Sequence, residues 1–109
     1  MSGVPTVDVT ALPADAYLVD VREDDEWAAG HAPDAVHVAL GQIVAKADEV
    51  AAVDGTVYVI CRLGGRSAQA VEFLVGRGVD AVNVAGGMQA WSAAGRAMVS
   101  ASDGAPVVI

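Results

Sequence analysis

Thr56-Val57-Tyr58-Val59-Ile60-Cys61-Arg62-Leu63-Gly64-Gly65-Arg66-Ser67 is the stretch on which the reading of this chain turns. Its first five residues are rich in β-branched side chains and predict a buried strand over 56–60. The strand runs straight into the chain's one cysteine. Beyond Gly64 and Gly65 a helix is expected over 67–75, with Ala70, Val71 and Leu74 on one face and Gly76 and Gly78 stopping it.

Outward from this stretch, strands and helices alternate. Short strands are expected over 7–9, 17–21, 35–38 and 81–84. Helices are expected over 23–29, with acidic residues at its start and Gly30 at its end, and over 42–52, where Ile43, Ala47 and Val50 recur at helical spacing. Gly86-Gly87 turns the chain into a short helix carrying Trp91 and closed by Gly95. Alternation of this kind predicts an α/β fold with a largely parallel sheet, whose sites gather at the carboxyl ends of strands. Cys61 occupies such an end. The last ten residues mix Ser, Asp, Gly and Pro and finish on an apolar tip, Val107-Val108-Ile109, that either docks or frays.

The 109 residues fit a single domain, with a core over about 5–96 and a tail over about 97–109. The hydrophobic share is 54% and the aromatic share 5%, so the core must be built from small and branched side chains. A net charge of −8 argues against nucleic acid or an anionic membrane surface as partner. One cysteine excludes an internal disulfide, and one cysteine with two histidines makes a poor metal site. The opening Met1-Ser2-Gly3-Val4-Pro5 has no basic-then-apolar pattern, and no apolar run reaches membrane-spanning length. A cytoplasmic protein, monomeric or weakly dimeric, is expected.

A lone cysteine after an apolar strand is most simply a small buried hydrophobe. Its neighbours argue otherwise. Gly64 and Gly65 let successive backbone N–H groups point inward as an anion-binding nest. The following helix adds its N-terminal partial charge, and Arg62 and Arg66 add full charges. Each favours a thiolate over a thiol. Cysteine-dependent phosphatases have a similar loop with five residues between Cys and Arg, whereas here four separate Cys61 from Arg66. The smaller ring suits a single sulfur better than a tetrahedral phosphate.

Four ordered motifs resemble the rhodanese family in its single-domain form. They are Leu18-Val19-Asp20-Val21-Arg22-Glu23 with Glu26-Trp27 and Gly30-His31; Ala35-Val36-His37-Val38; the strand and loop from Val57 to Ser67; and Asn83-Val84-Ala85-Gly86-Gly87-Met88-Gln89-Ala90-Trp91. Together they span about residues 5–96. Asp34 stands where the family often has Gly, Ala39 where it often has Pro, and Leu63 where many relatives carry a small polar residue. The resemblance implies a five-stranded parallel sheet flanked by helices on both faces, and no cofactor. It implies a thiosulfate sulfurtransferase in which Cys61 is the catalytic nucleophile. Sulfur would pass from a donor such as thiosulfate, through a Cys61 persulfide, to cyanide or a thiol. Arg62, Leu63, Gly64, Gly65, Arg66 and Ser67 form the loop that binds the sulfur and its donor. A persulfide carrier with a protein relay partner, a non-enzymatic interaction or sensor domain, and a phosphatase or arsenate reductase are the alternatives.

The remaining polar residues read as structural. Asp20, Arg22 and Glu26 are expected to form an ion-pair or hydrogen-bond cluster at a strand end near the site. His31 and His37 are expected to be hydrogen-bonded rather than catalytic, and Trp27 and Trp91 to anchor the core.

Overall fold

The five expected strands assemble into one parallel sheet in the order β1-β5-β4-β2-β3. They are β1 (Thr6–Asp8), β2 (Tyr17–Asp20), β3 (Val36–His37), β4 (Val57–Ile60) and β5 (Ala81–Ala85). The helices are α1 (Asp24–Ala29), α2 (Ala47–Ala51), α3 (Gly65–Gly76) and α4 (Gly87–Ala93). This computed structural model describes residues 4–109. Met1–Gly3, part of the start read above for a leader, lie outside the described residues.

The central strand β4 lies between β2, with Val59 opposite Val19, and β5, with Tyr58 opposite Val82. Side chains alternate between its faces. Val57, Val59 and Cys61 join Val19, Val21, Ala70, Val71 and Leu74 in one apolar core, which includes the buried face of α3. Ile60 points the other way, into a second core with Leu18, Val84, Met88 and Trp91. The same alternation that buries β4 on both sides therefore sets Cys61 on the α3 side.

Two helices differ from expectation. The span read as one helix over 42–52 is a 3₁₀ turn (Leu40–Gln42), a run of turns, and then α2. Its hydrogen bonds mix two spacings: Ile43 and Ala47 donate three residues back, and Lys46 and Val50 four. Gly41 and the β-branched pair Ile43-Val44 disfavour a regular start. Burial still follows the read period, with Ile43, Ala47 and Val50 inside. The helix expected over 67–75 begins earlier, at Gly65, and runs through Gly76. Two glycines there are weak helix formers. The left-handed Gly64 (φ 117°) nevertheless turns the chain into the helix before Arg66.

Trp27 does not anchor the core. It is half-buried, stacked on His31 with ring centroids 3.6 Å apart and on His37 at 4.8 Å. Trp91 is a core residue, and its indole N–H donates to the Ala97 carbonyl. The tail docks along α1: the N–H groups of Ala101 and Val107 donate to Ala28 and Ala29, and Val108 packs on the second core. No helix among the described residues is long and apolar enough to cross a membrane.

Candidate active site

Cys61 leaves the carboxyl end of β4 with its side chain only 1% exposed. Its sulfur is buried but not bare. The Gly64 N–H donates to Sγ at 3.0 Å, and the Ser67 hydroxyl lies 3.2 Å away. Gly64 supplies its donor from the left-handed conformation that bends the loop over the sulfur.

The loop's carbonyls are held on the opposite side. Cys61 and Arg62 accept hydrogen bonds from the N–H groups of Met88 and Gln89, at 2.8 and 3.0 Å. These donors stand in the first turn of α4. The loop rests so close to that turn that a Cβ on Gly87 (φ 55°) would overlap the Cys61 and Arg62 carbonyls. The Gly86-Gly87 pair, read from the sequence as a turn, is also the seat of the loop.

Burial pushes the Cys61 thiol up. Hydrogen bonds from the side chain and backbone of Ser67, and from the N–H groups of Gly64 and Leu63, oppose it and win. The thiol is held below its ordinary range, toward the thiolate. The groups nearest the sulfur are hydrogen-bond donors of Gly64, Leu63 and Ser67 rather than guanidinium groups.

The two loop arginines part company. Arg66, in the first turn of α3, meets Glu26 of α1 through both terminal nitrogens, at 2.7 and 2.9 Å. The Arg66 hydrogen bonds pull the Glu26 carboxyl down to about 2 against the effect of burial; Glu23's N–H and the Arg22 charge pull the same way. Arg66 is held firmly protonated, and the Cys61 charge is among the causes. Arg62 has a buried Nε with no hydrogen-bond partner. Leu63 stands 60% exposed beside Cys61, an apolar lip on the loop.

Of the cluster expected at the strand end, Asp20 and Arg22 pair as read and Glu26 does not join them. Arg22 is wholly buried, with Nε and Nη2 on the Asp20 carboxylate and Nη2 also on the Gly30 carbonyl at 2.7 Å. The pair thereby ties the end of β2 to the end of α1, and α1 carries Glu26 to Arg66. His37 lies 2.8 Å from the Arg22 carbonyl through Nε2. His31 bonds to the Trp27 carbonyl and pairs through its backbone with Val99, so its partners lie on α1 and the tail.

Two contacts at the candidate site escape the sequence. Glu26 groups by sequence with its near neighbours, and nothing in the chain announces a partner 40 residues away. Asn83 lies in β5 with its Oδ1 2.5 Å from the Ser67 hydroxyl. A polar residue between Val82 and Val84 in a buried strand is a signal that could have found it.

Known proteins resemble this chain in sequence and in fold. The family model described as "Rhodanese-like domain" matches residues 8–94. The sulfurtransferase GlpE of Pseudomonas savastanoi, named a thiosulfate sulfurtransferase, is 38% identical over 82 residues, covering 72% of this chain and 74% of that protein. YtwF of Bacillus subtilis, whose sulfurtransferase name is provisional, is 47% identical over 75 residues, covering 69% of this chain and 72% of its own. The crystal structure of a rhodanese-related protein from Thermoplasma volcanium superposes with a TM-score of 0.80 at 31% identity, covering 87% of this chain and 97% of that one. The parallel five-stranded sheet, the loop after its central strand and these matches place the chain in the rhodanese-like domain family.

Proposed function

We propose that this protein is a sulfurtransferase that carries sulfane sulfur on Cys61, from a donor such as thiosulfate to a thiophilic acceptor. One observation carries the reading: the Cys61 sulfur is buried yet ringed by donors, with Gly64 N–H at 3.0 Å and Ser67 Oγ at 3.2 Å. A merely structural cysteine has no use for that ring.

The Cys61 thiolate attacks the outer sulfur of thiosulfate. A new S–S bond forms, the S–S bond of the donor breaks, and sulfite leaves with the electron pair. The outer sulfur of the resulting persulfide is then attacked by cyanide, giving thiocyanate, or by a thiol, giving a new persulfide. Either step returns the Cys61 thiolate. Backbone N–H groups of the loop stabilise the anionic sulfur, and their fixed geometry costs no reorganisation during reaction. Arg62 is the better candidate for the donor's sulfonate end, because Arg66 is already engaged by Glu26.

Cys61→Ser is the test. Thiocyanate formation from thiosulfate and cyanide should vanish in that variant while the fold persists, since a hydroxyl fits the place of the thiol. Retained turnover would dismiss Cys61 as the nucleophile.

A further inference from the structure

Ser67 has one hydroxyl proton and two acceptors within reach. Its Oγ lies 3.2 Å from Cys61 Sγ and 2.5 Å from Asn83 Oδ1. One proton cannot serve both. All three side chains are buried, so a lost partner is costly. On its other side, Asn83 Nδ2 lies 3.4 Å from the Gly64 carbonyl, and the Gly64 N–H donates to the sulfur. The four residues close a ring: Cys61, Ser67, Asn83, Gly64.

With a neutral thiol the ring is satisfied as it stands. The S–H donates to Ser67 Oγ, Ser67 donates to Asn83 Oδ1, and Asn83 Nδ2 donates to Gly64. Once the thiol has passed its proton to a base in solvent, the sulfur can only accept. Ser67 must then turn its proton to Sγ. Its oxygen would be left against Asn83 Oδ1 at 2.5 Å with no proton between them. Half a turn of the amide moves the acceptor–acceptor contact from 2.5 Å at Ser67 to the looser 3.4 Å position, where Oδ1 then faces the Gly64 carbonyl. Nδ2–H then donates to Ser67 Oγ, and Oγ–H donates to the thiolate. The turn gives up the contact to Gly64, the longest in the ring.

We propose that Asn83 is a positioning residue for the nucleophile: its side-chain amide turns over when Cys61 ionises, and it holds the Ser67 proton on the sulfur. This deepens the reading of Cys61 as nucleophile and rests on it for its role in turnover. Donors in series polarise one another, and the last of them meets a full charge, so the turned arrangement is the stronger one. Asn83 therefore favours thiolate over thiol without touching sulfur or donor. The charged groups around Cys61 are Arg62 in the loop, Arg66 on α3 with Glu26 of α1 and Glu23 just before α1 behind it, and the Asp20–Arg22 pair at the end of β2. Residues 81–91, which carry Asn83, contain no ionisable side chain. Replacing Asn83 with an apolar residue leaves all of these charges in place.

The test follows iodoacetamide alkylation of Cys61 against pH in the full chain, in Asn83→Leu, in Ser67→Ala and in the double variant. Asn83→Leu should raise the midpoint by about half a unit to one unit. The same change should do nothing further once Ser67 is Ala, because the relay is already cut. A midpoint that stays or falls in Asn83→Leu overturns the proposal. So does an equal shift in the Ser67→Ala background. The wild-type chain gives a second measurement should Asn83→Leu fail to fold. Nuclear Overhauser contacts of the Asn83 amide protons should move from Gly64 to Ser67 across the Cys61 midpoint, and contacts that stay put overturn the turning amide. Neither measurement depends on sulfur transfer, so failure of the sulfurtransferase reading is separable from failure of this one.

Discussion

Arg66 and Glu26 face one another as a two-pronged pair, Nη1 to Oε1 at 2.7 Å and Nη2 to Oε2 at 2.9 Å. The first turn of α3, which carries Ser67 to the sulfur, is thereby fastened to α1. Glu26 also accepts from the Glu23 N–H, so one carboxylate closes the start of α1 and holds the loop helix.

This pair sets an acid limit. The Glu26 carboxyl is lowered from 4.5 to about 2, so its contribution is fully present above 4.5 and disappears as pH falls through about 2. Glu26→Gln should lose about 1–2 kcal/mol of stability at neutral pH. In urea melts across a pH series, the gap between parent and variant should close over that acid window. A gap independent of pH would mean that the charge on Glu26 contributes nothing.

The Cys61 thiol is held below its ordinary range by hydrogen bonds that outweigh burial. Alkylation should therefore show a midpoint below the free thiol value of about 8.5. Sulfur transfer should rise through the same midpoint and level off above it, since only the thiolate attacks. A midpoint at or above the free value would mean that the cradle is not aimed at the sulfur.

Arg62 is the loop cation with an unpartnered buried nitrogen. Arg62→Ala should raise KM for thiosulfate by about five- to fiftyfold with little change in kcat, as expected for a contact made equally in ground and transition states. A change below about twofold would make Arg62 a bystander.

Arg22→Leu would leave the Asp20 carboxylate buried without its counter-ion and would release the Gly30 carbonyl. Breaking such a pair from one side costs about 3–5 kcal/mol. Denaturant unfolding of the variant checks this, and a loss under about 1 kcal/mol would contradict the role given to the pair.

Much of this arrangement was legible in the chain because it is local. β-branched runs gave five strands, and alternation along 57–61 set Cys61 opposite Ile60. The nest was legible because Gly64 sits three residues from the sulfur that its N–H meets. What stayed hidden depends on distant segments meeting. Arg66 reads as a loop cation for the sulfur and its donor, and the carboxylate that engages it arrives from α1. Trp27 reads as core, because hydrophobicity does not reveal that two histidines will stack on it outside the core. The helix start at Gly65 is hidden because glycine propensity argues against it; the local geometry set by Gly64 decides instead.

Intact mass after thiosulfate treatment tests the central claim most directly. The full chain should gain one sulfur atom and lose it again on addition of cyanide, and Cys61→Ser should gain none. A parent chain that stays unmodified, or a Cys61→Ser chain that takes up the same sulfur, would contradict a persulfide on Cys61.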